Sequence, residues 1–347
     1  MALIKKTDYY DIKTAPLLAD KTTIMKSLLF TSILIILLMQ FVSCNGKDKV
    51  NQPIDDITPE LVKVPLGDPF IMLWEGKYYA YGTYSDNGIA VFVSDDLLTW
   101  NSTTSLALHK DDVWADQWFW APEVYHLNGK FYMYYSANEH ICVATSDSPL
   151  GPFRQDIQKP MIEDEKCIDN SLFIDDDGKP YLSFVRFNDG NNIWVAELND
   201  NLIDLKPETM HKCINVSQTW EQVWPRVNEG SFILKHKDVY YLTYSANSYE
   251  SPFYGVGVAT ATNITGPWTK YEGNPILQKP GKLVGVGHSA MFTDKEGKLR
   301  IVFHAHNSTT NIHPRNMYIS TVSFENNNGK DVMVVDKNYI TPTCINK

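Results

Sequence analysis

DPFIMLWEGKYYAYGTYS (68–85), APEVYHLNGKFYMYYSAN (121–138), DNSLFIDDDGKPYLSFVR (169–186), EGSFILKHKDVYYLTYSAN (229–247) and HSAMFTDKEGKLRIVFHAH (288–306) are five versions of one unit. Each has a small or polar residue, a short apolar run, a turn, a second apolar run and a polar loop. The turn is Gly-Lys at Gly76, Gly129, Gly178 and Gly297, with Lys237-Asp238 in its place in the fourth unit. A third apolar run follows each time: GIAVFVSDDLLTW from Gly88, ICVATSDSPLGPF from Ile141, NIWVAELNDNLIDL from Asn192, VGVATATNITGPW from Val256 and MYISTVSF from Met317. Short β-branched and aromatic runs punctuated by Gly, Asn, Asp and Pro read as strands. Past residue 60 no run of twelve or more residues carries apolar positions at helical spacing. Successive units start 53, 48, 60 and 59 residues apart, which predicts an all-β, five-bladed β-propeller spanning 61–340.

Outside that array the chain reads differently. Residues 26–44, KSLLFTSILIILLMQFVSC, join a lysine to an apolar run from Leu28 to Val42, short for a membrane span, and end on a small residue and a cysteine. This predicts a lipoprotein-type signal over 25–44, with residues 1–24 an upstream extension and 45–60 a polar tether. FVSC resembles a bacterial lipoprotein box, so Cys44 is the expected lipid-bearing residue and the expected location is the bacterial cell envelope. The net charge of −10, with no run of Lys or Arg, excludes a nucleic-acid partner and leaves the anchor as the only contact with a membrane. Cys142, Cys167, Cys213 and Cys344 show no close pair and no metal-ligand spacing.

In a propeller the first strand of every unit lines the axial channel, and all five start at one face. That geometry brings Asp68, Ala121, Asp169, Glu229 and His288 to one mouth, with Glu123 two residues along its own strand. Segments entering the strands bring Trp118, Trp120, Trp224 and Arg226. Aromatic walls with a few convergent polar groups make a small-molecule pocket, and this mixture suits a saccharide. Three carboxyl groups around one channel repel, so at least one is raised in pKa. Glycoside hydrolysis needs such an asymmetry, with one carboxyl kept protonated for the leaving oxygen and another ionised to activate water. Aspartates at strand starts also serve as plain turn residues, whereas Glu229 is no turn former.

The residues GDPF (67–70), FWAPEV (119–124), CIDNSLFIDDDGKPYL (167–182), VNEGSFILKHKDVYYLTYS (227–245) and GHSAMFTDKEGK (287–298) resemble the five blade motifs of glycoside hydrolase family 43. That resemblance implies an inverting mechanism with Asp68 as general base, Glu229 as general acid and Asp169 as the residue that orients the acid and tunes its pKa. It further implies Trp120 and Arg315 as contacts to the reacting sugar. His288 matches a histidine near the channel centre, beside a calcium ion in many members. The expected activity is removal of terminal α-L-arabinofuranosyl or β-D-xylosyl units from plant cell-wall oligosaccharides or polysaccharides. An endo-arabinanase, a galactan-acting hydrolase and a non-catalytic carbohydrate-binding propeller are the alternatives. The sequence departs from the family in having Glu123 after the WAP motif, and in ending soon after the fifth unit.

Overall fold

The structure, a computed structural model, describes residues 60–224 and 226–345. The expected upstream extension, the signal with Cys44 and nearly all of the tether therefore lie outside the described residues. Within the described part the chain is a ring of antiparallel sheets with short 3₁₀ turns and no longer helix.

Each repeat builds one of five sheets. Their innermost strands are Gly67–Trp74, Trp120–Leu127, Cys167–Ile174, Asn228–His236 and Gly287–Thr293. Second strands follow at Lys77–Ser85, Lys130–Ala137, Pro180–Phe187, Val239–Ala246 and Leu299–Ala305. Four of the sheets have four strands or more, and the second has three. Innermost strands of successive sheets pack against one another, and the fifth packs against the first, which is a β-propeller arrangement. The first sheet is finished by both ends of the described chain: Thr343–Ile345 pairs with Thr99–Ser102 in parallel and with Leu61–Lys63 antiparallel.

Apolar packing follows from this geometry. Instead of one core there are clusters between neighbouring sheets, such as Val185, Ile193 and Val195 of the third against Ile233, Leu242 and Ala259 of the fourth. A second strand is covered on both faces, so Val239–Ala246 is buried along almost its whole length and does not alternate. Among the described residues Cys142, Cys167, Cys213 and Cys344 are all free thiols.

The innermost strands share one irregularity. Each has a bulge where its register with the second strand shifts, between Gly67 and Phe70, Trp120 and Glu123, Ile168 and Ser171, Glu229 and Phe232, and Gly287 and Ala290. The bulged residue is left-handed each time: Asp68 (φ 47°), Ala121 (45°), Asp169 (58°), Gly230 (56°) and His288 (46°). Four of these five are not glycine, and each costs about 1 kcal/mol or more of backbone strain that the surrounding ring must absorb.

This register corrects the alignment of the repeats. Glu229 does not occupy the position of Asp68 and Asp169. It stands one residue earlier, level with Gly67, Trp120, Ile168 and Gly287, and Gly230 takes the bulge. Aligning the units by charge matched carboxylate to carboxylate, whereas the backbone matches them by the left-handed residue, a conformation glycine adopts without a Cβ penalty.

Candidate active site

The bulges aim side chains of three sheets and the fifth-sheet loop at one point. Asp68 is buried, and its carboxylate accepts from Arg315 Nη1 on Oδ1 (2.6 Å), Arg315 Nη2 on Oδ2 (2.8 Å) and the Thr83 hydroxyl on Oδ2 (2.6 Å). This bidentate pair exists because Gly67 has no side chain: a Cβ there would lie 2.5 Å from the guanidinium carbon of Arg315. His288 Nδ1 stands 3.2 Å and His304 Nδ1 3.3 Å from Asp68 Oδ1. The Asp68 amide donates to His304 Nδ1 at 3.1 Å, which puts the His304 proton on Nε2. That nitrogen is buried with no hydrogen-bond partner.

Asp169 is buried as well. Its amide donates to Ser136 Oγ (2.8 Å), and its Oδ2 accepts from the Gly230 amide (3.2 Å). Glu229 keeps a partly exposed surface at the mouth. Its Oε1 accepts from the Tyr254 hydroxyl (2.9 Å) and its Oε2 from Asn191 Nδ2 (3.0 Å). Tyr254 reaches it by lying across Gly287 and stacking on His304, ring centroids 5.6 Å apart.

The three carboxyl groups differ in protonation. Burial pushes Asp68 up, but the lowering influences, the paired Arg315 guanidinium first among them, outweigh it and hold the group well below the usual carboxylate range. Burial raises Glu229 to about 7; the Tyr254 hydrogen bond opposes this and the Asp68 charge adds to it. Asp169 is raised well above the ordinary value by burial, then by Glu229 and Asp68. The cluster thus sets an Asp68 held low in pKa beside two carboxyls that are raised. Burial keeps both imidazoles neutral, His288 against the pull of Asp68 and His304 with a pKa of about 3.

Trp120 and Arg315 meet at a cavity of about 200 Å³, lined also by Gly67, Thr83, Trp118 and His313. The Arg315 guanidinium faces Asp68 with both terminal nitrogens and lies 4.7 Å from the centre of the Tyr249 ring. Glu123 does not join the three: it accepts from the Tyr125 hydroxyl at 2.5 Å, and burial raises it to about 8. His288, the residue matched to the histidine beside a calcium ion, has its Nδ1 3.2 Å from Asp68 Oδ1 and 4.0 Å from Asp169 Oδ2. A hard cation takes several oxygens, and among the described residues no three His, Cys, Asp or Glu side chains converge as ligands.

Thr83, Asn191, Tyr254 and His304 were not singled out from the sequence. Asn191 and Tyr254 sit in or just after polar loops whose direction no pattern gives. A signal for the other two does exist: Thr83, Ser136, Ser245 and His304 are the polar residues pairing with the residue before the bulge in four of the five sheets.

A profile of the family described as Glycosyl hydrolases family 43 matches residues 61–329. Among solved structures, an endo-1,4-β-xylanase from Bacteroides thetaiotaomicron VPI-5482 superposes with a TM-score of 0.79 at 46% identity, covering 83% of this chain and all of that one (100%). A thermostable family-43 glycoside hydrolase does so with a TM-score of 0.73 at 37% identity, over 80% of this chain and 95% of the other. An extracellular exo-α-(1→5)-L-arabinofuranosidase of Cellvibrio japonicus is 27% identical over 289 residues, 72% of this chain and 81% of the relative.

Proposed function

The chain belongs to glycosyl hydrolase family 43 and is a glycosidase, and from that premise we propose that it hydrolyses pentosyl links of plant cell-wall saccharides with inversion at the anomeric carbon. β-D-Xylosyl links come first, because the solved relative at 46% identity is named a xylanase. α-L-Arabinofuranosyl links come second, after the relative at 27%. Terminal removal is the mode we assign, on the walled cavity of about 200 Å³ beside Asp68. The five sheets are read as five blades, the three-stranded one included.

Asp68 is the general base, Glu229 the general acid and Asp169 the positioning residue between them. Water activated by Asp68 attacks the anomeric carbon and gives its proton to Asp68. The bond from that carbon to the leaving oxygen breaks, and that oxygen takes the proton of Glu229. Exchange with solvent then returns both carboxyls to their starting states. At an oxocarbenium-like transition state the water is drawn to a cationic carbon, so a weakly basic carboxylate suffices. Tyr254 and Asn191 hold the acid, and Arg315 and Thr83 hold the base.

The observation that carries this reading is the split between a carboxylate held low by Arg315 and one raised to about 7. Glu229→Gln and Asp68→Asn should each lose about 10²–10⁴-fold in kcat on xylo-oligosaccharides. Proton NMR of the first product should show the inverted anomer. Wild-type turnover in either variant, or retention, sinks the mechanism. We also place the enzyme outside the cytoplasm on a lipid anchor at Cys44, supported by the apolar run Leu28–Val42, the FVSC sequence and the extracellular Cellvibrio relative.

A further inference from the structure

Trp118 is held in a way that packing alone does not explain. Its φ is 59°, a left-handed conformation that a bulky side chain rarely adopts. The residue is 44% exposed, and the aromatic partner of its ring is Trp120. The preceding residue is clamped: the Asn138 amide donates to the Gln117 carbonyl (3.1 Å), and Gln117 Nε2 donates to Asn138 Oδ1 (3.0 Å). What the conformation achieves is alignment. The rings of Trp118 and Trp120 are 13° from parallel with centroids 5.8 Å apart, and both line the cavity that Arg315 and Gly67 share. The same cavity is lined by Tyr84, 53% exposed, with Ser85 and Asp86 next to it in sequence as hydrogen-bonding groups.

We propose that Trp118 is the platform for the saccharide unit next to the one at Trp120, so that the site engages at least two consecutive sugars. The inference rests on the pentosyl reading above. Because the two rings stack, the exposed face of Trp118 lies parallel to Trp120 and can take a flat apolar sugar face, with Tyr84, Ser85 and Asp86 lining the same cavity as partners for hydroxyls. A strained residue at a ligand-facing position is where such a cost is retained.

The test compares substrates of different length. For the wild type, kcat/KM is measured on 4-nitrophenyl β-D-xyloside and on xylotriose, or on the α-L-arabinofuranosyl pair if those are the better substrates. Trp118→Ala should lower the ratio of trisaccharide to aryl glycoside kcat/KM about tenfold through KM, a factor corresponding to about 1.4 kcal/mol of ring contact. Trp118→Gly should lower it equally while its melting temperature does not fall below that of the wild type, since glycine relieves the left-handed strain. An unchanged ratio overturns the proposal: if both substrates suffer together Trp118 only buttresses Trp120, and if neither does the ring has no substrate. A wild type inert on every pentosyl substrate overturns the functional reading, and this inference with it.

Discussion

The backbone amide of Gly230 donates to Asp169 Oδ2 at 3.2 Å, joining the bulge of the fourth sheet to the carboxylate of the third. In the other sheets the bulge amide goes elsewhere, to the preceding sheet's second strand: Asp68 to His304, Ala121 to Thr83, Asp169 to Ser136 and His288 to Ser245. The equivalent residue of the third sheet is Val185, which pairs with Ile168 and offers no acceptor. Asp169 fills that gap, and the bond fixes one of its oxygens.

Restoring a hydroxyl should release it. Val185→Thr changes shape little, and its buried oxygen can accept the Gly230 amide. Asp169 then loses a bond that lowers its pKa. We expect kcat to fall about tenfold, or about 1.4 kcal/mol, with the melting temperature within a few degrees of wild type. An unchanged kcat would show that the bond does not position Asp169.

Gly67→Ala tests the seat of the arginine. The added Cβ would sit 2.5 Å from the Arg315 guanidinium carbon, so the guanidinium must move off Asp68. A displacement of about 1 Å at a catalytic group costs on the order of a hundredfold in rate. Steady-state kinetics should show that loss in kcat.

The pH profile follows from two carboxyls. Glu229 must be protonated to act, and with its pKa raised to about 7, kcat/KM should fall as pH rises through 7. Asp68 must be ionised, and since it is held well below the usual range, the acid side should stay level past ordinary carboxylate values. The Tyr254 hydrogen bond lowers the Glu229 pKa, so Tyr254→Phe should move the alkaline limb upward. A limb that stays put or moves down contradicts the assignment of Glu229 as the acid.

Arg315→Met removes one member of a buried ion pair and leaves the Asp68 charge uncompensated. Such a loss costs about 3–5 kcal/mol, measurable by urea unfolding at neutral pH. Because Arg315 is the strongest of the influences lowering Asp68, the acid limb of any residual activity should move up in pH.

The propeller was legible because five turns and five pairs of apolar runs recur at a steady period, and only a radial array repeats that way. Asp68 and Asp169 were legible because their positions in the repeat are also their positions in space. Glu229 was found by its charge and misplaced by one residue, since a bulge leaves no mark in composition and the marker here, Gly230, looks like any strand-start glycine. Arg315 was expected as a sugar contact, but its bidentate embrace of Asp68 depends on the emptiness at Gly67. His304 and Thr83 were missed because a polar residue inside an apolar run reads as noise until the register of the sheet is known.

Asp68 lies in the first innermost strand, and Arg315 lies 247 positions later, just ahead of the third strand of the fifth sheet. The sheet that carries Asp68 is itself unfinished until Thr343–Ile345 slots between Leu61–Lys63 and Thr99–Ser102. Asp68 therefore gains its arginine, and its sheet its last strand, only from segments near the far end of the described chain. Closing the ring and pairing Asp68 with Arg315 thus both draw on segments from the two ends of the described chain.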